Sequence, residues 1–176
     1  MWTAMQDQNQ SSVTQGQQPS VLVVCIGNEL VADDAIGYEV YKRLHTMDLP
    51  EGSRIEFVGV GGIALLDLLR GDELTLIVVD AVHFGATPGT LHCFSWDNVP
   101  FCSNPVISVH GIGLKETIDI GRILYPEKIP QEILLVGIEG RCFNKMRDAM
   151  TPATEAAAVD ATLYIRDKLV DYLEKH

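Results

Sequence analysis

The chain of 176 residues is poor in several things that would otherwise direct its reading. Its four cysteines, Cys25, Cys93, Cys102 and Cys142, form no C-x-x-C pair and show no zinc-ligand spacing. Such a set suits a reducing, cytoplasmic setting rather than a disulfide framework. No apolar run approaches the length of a membrane span, so no membrane attachment is expected. Basic residues are in deficit: 13 Lys and Arg stand against 24 Asp and Glu, for a net charge of −11. That balance lacks the cationic footprint of a nucleic-acid binder and fits a solvated acidic surface. There is no Walker A sequence, no G-x-S-x-G and no H-E-x-x-H. No Ser or Cys stands with a His and an Asp in an order that reads as a nucleophile site.

What is present is a single domain's worth of alternating strand and helix patterns. Residues 1–20 are rich in Gln, Ser, Asn and Thr without apolar periodicity, and a disordered tail is expected there rather than a signal peptide. Residues 21–176 read as one α/β domain. Val21 to Ile26 is an unbroken apolar run closed by Gly27, the pattern of a strand buried on both faces. A short loop carries Glu29, Asp33 and Asp34, and a helix is expected from about Asp34 to Met47, with Asp33 as its N-cap and Ile36, Val40, Leu44 and Met47 on one face. Strands are expected at Ile55–Val60, Leu74–Val79 and Ile133–Ile138, and helices at Ala64–Leu69 and Gly113–Leu124. Gly89–Trp96 reads as a short strand, a candidate antiparallel edge. A last helix opens at Thr151-Pro152, a cap followed by Pro in the first turn, with Ala156, Val159, Leu163, Val170 and Leu173 as its apolar face. The expected fold is a three-layer α/β sandwich: a twisted, mostly parallel sheet of about five strands, flanked by helices on both faces.

In such sheets ligands sit beyond the carboxyl ends of the strands. Asp33 or Asp34, Gly61-Gly62, Asp80 and Glu139 all stand where a strand pattern ends, and His110 opens the third helix pattern. Two carboxylates and an imidazole from separate segments make a candidate metal site with open positions. The N-terminus of the first helix favours an ionised Asp34, the form a ligand requires. Nucleotide binding fits less well. Gly27-Asn28-Glu29 lacks the G-x-G-x-x-G spacing, and three carboxylates in one loop would repel a pyrophosphate.

The blocks Gly27-Asn28-x4-Asp33-Asp34-Ala35-Ile36-Gly37, Val79-Asp80-Ala81 with Pro88-Gly89-Thr90, and Ser108-Val109-His110-x2-Gly113-Leu114 resemble, in order and spacing, the nickel–iron hydrogenase maturation endopeptidases. The resemblance runs from about Val21 to Leu173. It implies an endopeptidase that removes a C-terminal extension from a hydrogenase large-subunit precursor once nickel has been inserted. It also implies that Asp34, Asp80 and His110 meet the metal, which chooses Asp34 over Asp33. The nickel would come with the precursor, no organic cofactor is implied, and a monomer is expected. Two departures stand out. Val60 replaces an acidic residue that related sequences often carry before the glycines of the second strand, so substrate preference should differ. His83 stands where related sequences often have Asp, and it either joins the site or faces solvent. An alternative with the same partner is a noncatalytic, metal-sensing chaperone of the precursor.

Overall fold

The computed structural model describes residues 19–100, 113–146 and 150–175. Five strands form one sheet: β1 (Ser20–Cys25), β2 (Ser53–Phe57), β3 (Glu73–Val82), β4 (Leu91–Ser95) and β5 (Glu132–Glu139). Their order is β2-β1-β3-β5-β4, with β4 antiparallel to β5 and the other pairings parallel. Four α-helices, with three short 3-10 turns besides, are described: α1 (Ile36–His45), α2 (Leu65–Leu68), α3 (Leu114–Leu124) and α4 (Pro152–Leu173). The expected α/β sandwich with an antiparallel edge is the observed one. Of the expected tail, residues 1–18 lie outside the described residues, as does His110.

The central strands are apolar on both faces because each face is covered. Val21, Val23, Cys25, Ile77 and Val79 pack with α1 and α4 through Ile36, Val40, Leu44, Ala158 and Ile165. Leu22, Val24, Leu76 and Val78 pack on the other face with Leu65, Leu114 and Ile118. Alternation along each strand sends successive residues to opposite layers, so continuous apolar runs are what this architecture requires.

Chain order fixes where a site can form. From β1 the chain passes through α1 to β2 on one side; from β2 it passes through α2, on the opposite face, to β3 on the other side of β1. The direction of winding therefore reverses at β1/β3, and the connections leaving the carboxyl ends of these two strands diverge to leave a crevice.

Three expectations are corrected. Asp33 is not a helix N-cap: it begins a 3-10 turn (Asp33–Ala35) that runs into α1, Ala35 is the N-cap of α1, and no side chain caps either. The reason is that the Asp33 carboxylate bonds a distant segment. Second, β3 does not stop before Asp80. Pairing with β5 carries it on to Val82, so Asp80 is a ladder residue opposite Gly137. Third, α4 buries Thr154, Ala157, Ala158, Ala161, Thr162, Ile165 and Leu169, while Val159 and Leu163 face outward. Small side chains take the inner face because α4 is wedged against both α1 and the sheet. Thr151 is indeed the residue before α4 and Pro152 its first helical residue, but the Thr151 hydroxyl bonds the Thr154 hydroxyl and Asp33 rather than a backbone N–H.

Candidate functional site

The site is built from the two connections that leave the switch point. On the β1 side, Gly27 and Gly37 let the first turn of α1 lie directly on the strand end. A Cβ on Gly27 would stand 2.2 Å from the Asp34 carbonyl oxygen, and one on Gly37 would stand 1.9 Å from that of Ile26. Only glycine allows this approach. It places Asp34, buried, immediately beyond the end of β1. The Asn28 N–H donates to the Asp34 carboxylate (3.2 Å) and to its carbonyl (3.1 Å). The Asn28 side chain accepts from the Leu30 N–H at 3.0 Å, so one asparagine shapes the loop around Asp34. On the β3 side, Cys25 pairs with Val79 and the Ile26 N–H donates to the Val79 carbonyl. Asp80, also buried, follows at once.

Asp34, in the 3-10 turn that follows β1, and Asp80, two residues before the end of the neighbouring β3, thus lie toward the same edge of the sheet. Both residues are buried, and a carboxylate withdrawn from bulk water attracts an opposite charge more strongly than one in solution. Among the described residues, no group of three His, Cys, Asp or Glu side chains is spaced to hold a metal ion. Asp34 and Asp80 are the two described members of the expected trio and could supply oxygen donors to a cation. That chemistry suits a divalent cation whose remaining ligands come from elsewhere.

Asp33 does different work. Fully buried, its carboxylate accepts from the backbone N–H of Arg141 (2.9 Å), Cys142 (2.9 Å) and Thr151 (2.8 Å), and from the Thr151 hydroxyl (3.3 Å). The same meeting is reinforced by main-chain bonds: the Asp33 N–H donates to the Cys142 carbonyl and the Ala32 N–H to that of Lys145. Val31 and Met146 form an antiparallel bridge. Residues 141–146 are thereby strapped alongside the loop that carries Asp34. Lying at the N-terminus of the 22-residue α4, the Asp33 carboxylate also complements that helix's dipole.

Glu139 stands at the expected edge, at the end of β5, and organises the connection after β3. Fully buried, it accepts from the N–H groups of Phe84 (3.0 Å), Gly85 (2.9 Å) and Ala86 (3.2 Å), and pairs with His92 Nε2 at 3.1 Å. His83 Nδ1 lies 3.5 Å away, with the His83 side chain 56% exposed and its ring edge-on to Phe143 of the strap. His83 therefore faces solvent at the rim. Of the cysteines, Cys25 is buried in the core and its thiol is pushed up by that burial, the opposite of an activated nucleophile. Cys93 is also pushed up, by burial first, against the opposing effects of Tyr164 and Lys168. The role of Asn28 was not anticipated from the sequence; its place directly after Gly27, where a side chain must close a turn, is the signal that could have found it.

A doubly wound sheet with two buried carboxylates, Asp34 and Asp80, at its switch point defines the class of this α/β protein. Comparison with known proteins says which kind. Residues 38–167 match the family model of HycI, hydrogenase maturation protease. The hydrogenase expression/formation protein HupM of Azotobacter chroococcum is 33% identical over 126 residues, covering 70% of this chain and 59% of that protein. HupD of Rhodobacter capsulatus is 37% identical over 121 residues, 68% of this chain and 56% of that one. The chain thus spans somewhat more than half the length of these curated relatives. Among solved structures, the hydrogenase maturating endopeptidase HybD of Escherichia coli superposes with a TM-score of 0.75 at 27% identity, covering 87% of this chain and 93% of that one. The chain belongs to the hydrogenase maturation protease family.

Proposed function

We propose that this protein is an endopeptidase that removes the C-terminal extension of a nickel–iron hydrogenase large-subunit precursor after nickel has been inserted. Asp34, Asp80 and His110 would meet the nickel carried by the substrate. The observation that carries the reading is the division of labour between adjacent aspartates. Asp33 is fully engaged by residues 141–151, while Asp34 joins Asp80 at the β1/β3 switch point. Family membership supplies the reaction class.

In this reading the nickel is part of the substrate, and it polarises the scissile carbonyl or orients the attacking water. The chain's own task is to bring carboxylate charge to the metal and to hold the peptide against it. Water adds across the C–N bond: its oxygen joins the carbonyl carbon and a proton goes to the leaving amine. Two carboxylates and one imidazole leave the remaining coordination positions to the substrate's own ligands, so the isolated protein should not hold nickel or zinc tightly in calorimetry. No helix among the described residues is long and apolar enough to cross a membrane. We propose a cytoplasmic setting for the reaction and a monomeric enzyme.

The test compares nickel-loaded with nickel-free precursor, using the purified protein and variants in which Asp34, Asp80 and His110 are each replaced by Ala. Cleavage of the loaded form alone, lost in each variant, is expected. Cleavage of both forms would overturn nickel recognition. Binding without loss of the C-terminus, read by mass spectrometry, would point instead to a noncatalytic chaperone.

A further inference from the structure

The described residues include nine large apolar side chains that are exposed, and they are not scattered. Ile123, Leu124 and Tyr125 end α3, at the amino edge of the sheet, and Val159 and Leu163 lie on the outer face of α4. The other four, Leu30, Val60, Ile63 and Met146, all lie on connections at the carboxyl edge, around the candidate site. Leu30 is 58% exposed and Met146 72%.

Backbone bonds link the connections that carry these four. The Gly27 N–H donates to the Gly59 carbonyl at 3.0 Å, which ties the connection bearing Val60 and Ile63 to the connection bearing Leu30. The Val31–Met146 bridge ties Leu30's neighbour to the strap. Asn28 joins these connections to the chemistry: it donates to the Asp34 carboxylate and its side chain holds the Leu30 N–H. An apolar rim thus runs from the β2 connection, past Asp34, to the strap. Strands lie ~4.8 Å apart, so such a rim is roughly 10–15 Å long, the reach of three or four extended residues. Clustered exposed apolar side chains of this kind mark an interaction surface.

Charge identifies the occupant. The rim encloses buried carboxylates on a chain of net charge −11, so whatever sits over it must be positive at its centre and free of acidic groups there. We infer that Leu30, Val60, Ile63 and Met146 receive an extended apolar stretch of the hydrogenase precursor that flanks its metal-bearing segment. The metal faces Asp34 and Asp80, and the flanking side chains lie on the rim. This rests on the function proposed above and adds how the substrate is gripped: the carboxylates select the metal, and the rim selects apolar neighbours. Val60, exposed on the β2 connection, belongs to this apolar selection.

The test is the double variant Leu30→Ser/Met146→Ser in the full chain, against Ile123→Ser/Leu124→Ser at the opposite edge. All four side chains are exposed, so both variants should melt close to the parent. With nickel-loaded precursor, the rim variant should raise KM roughly tenfold with kcat within about twofold, the loss expected when two apolar side chains lose their contacts. The control should change neither. Serine replacement of the apolar residues flanking the precursor's metal-bearing segment should raise KM on the parent and add little on the rim variant, since both changes remove one contact. An unchanged KM in the rim variant, or an equal rise in the control, overturns the rim. Fully additive effects would also overturn it, by assigning the rim to a different part of the precursor. If the parent fails to cleave, the proposed activity falls. The rim is then decided by precursor affinity alone: a tenfold loss confined to the rim variant supports it, and equal affinities overturn it.

Discussion

Asp33 and Asp34 are neighbours of the same type, and replacing each by Ala should have opposite consequences. Asp33→Ala removes a fully buried acceptor for three part-buried main-chain N–H groups, those of Arg141, Cys142 and Thr151, and for the Thr151 hydroxyl. A buried donor left without a partner costs about 1–3 kcal/mol. Water entering the space left by the carboxylate satisfies part of the set, so the sum is roughly 3–6 kcal/mol. That is a large share of the ~5–15 kcal/mol that holds a typical domain together. At about 2–4 °C per kcal/mol for a chain of this size, the melting temperature should fall by roughly 10–20 °C. Asp33→Asn should not rescue it fully, because the amide turns an NH2 group toward donors. Asp34→Ala should cost less, since it takes the carboxylate acceptor from the main-chain N–H of Asn28, where Asp33→Ala takes it from three such groups. It should nevertheless abolish cleavage. The measurements are thermal and urea unfolding of both variants, and precursor cleavage well below either midpoint. If Asp33→Ala melts within two or three degrees of the parent, as an order of magnitude from the same scaling, the reasoning fails. It fails equally if Asp34→Ala proves the more destabilising, or if folded Asp33→Ala loses cleavage while Asp34→Ala retains it.

Two further outcomes follow from buried acids away from the carboxylate pair. Glu139→Ala should release the N–H groups of Phe84, Gly85 and Ala86, and their hydrogen exchange should accelerate at least ~10-fold while the core strands keep their protection. Unchanged exchange would show that the loop stands without Glu139. Glu73 is pushed up by burial, but the N–H groups of Arg70 and Gly71 and the guanidinium of Arg54 outweigh this and hold it below the usual carboxylate range. A carboxylate lowered on folding contributes stability above its unfolded pKa and loses it as pH falls through the folded value. Denaturant midpoints of Glu73→Gln should therefore lie below the parent's at neutral pH and converge with them below about pH 4; parallel curves would refute the assignment.

The layered fold was legible because it is written in uninterrupted apolar runs, which only strands covered on both faces produce. Asp80 was legible because a charged residue ending such a run has few places to go but the sheet edge. Asp33 was misread as a cap because local pattern sees only the helix that follows, while its partners lie 108 to 118 residues downstream. The face of α4 was misread for a related reason. Size suggested Val159 and Leu163, but the distance to α1 and the sheet selects Ala157, Ala158 and Ala161, and no local rule carries that distance. The same holds for Glu139: its position was visible, while the three N–H groups it gathers come from a loop more than fifty residues earlier.

The Asp33 knot also sets an order of events during synthesis. The loop that carries Asp34 emerges 108 to 118 residues before the anchors of Asp33 at Arg141, Cys142 and Thr151. Until α4 arrives, the N-terminal half can pair β1 with β2 and β3, yet Asp33 faces solvent and nothing holds the strap against residues 31–33. Contacts so distant along the chain form late. A nascent chain on the ribosome therefore holds the acidic residues of the site without their arrangement until the start of α4 has emerged and Asp33 has found its partners.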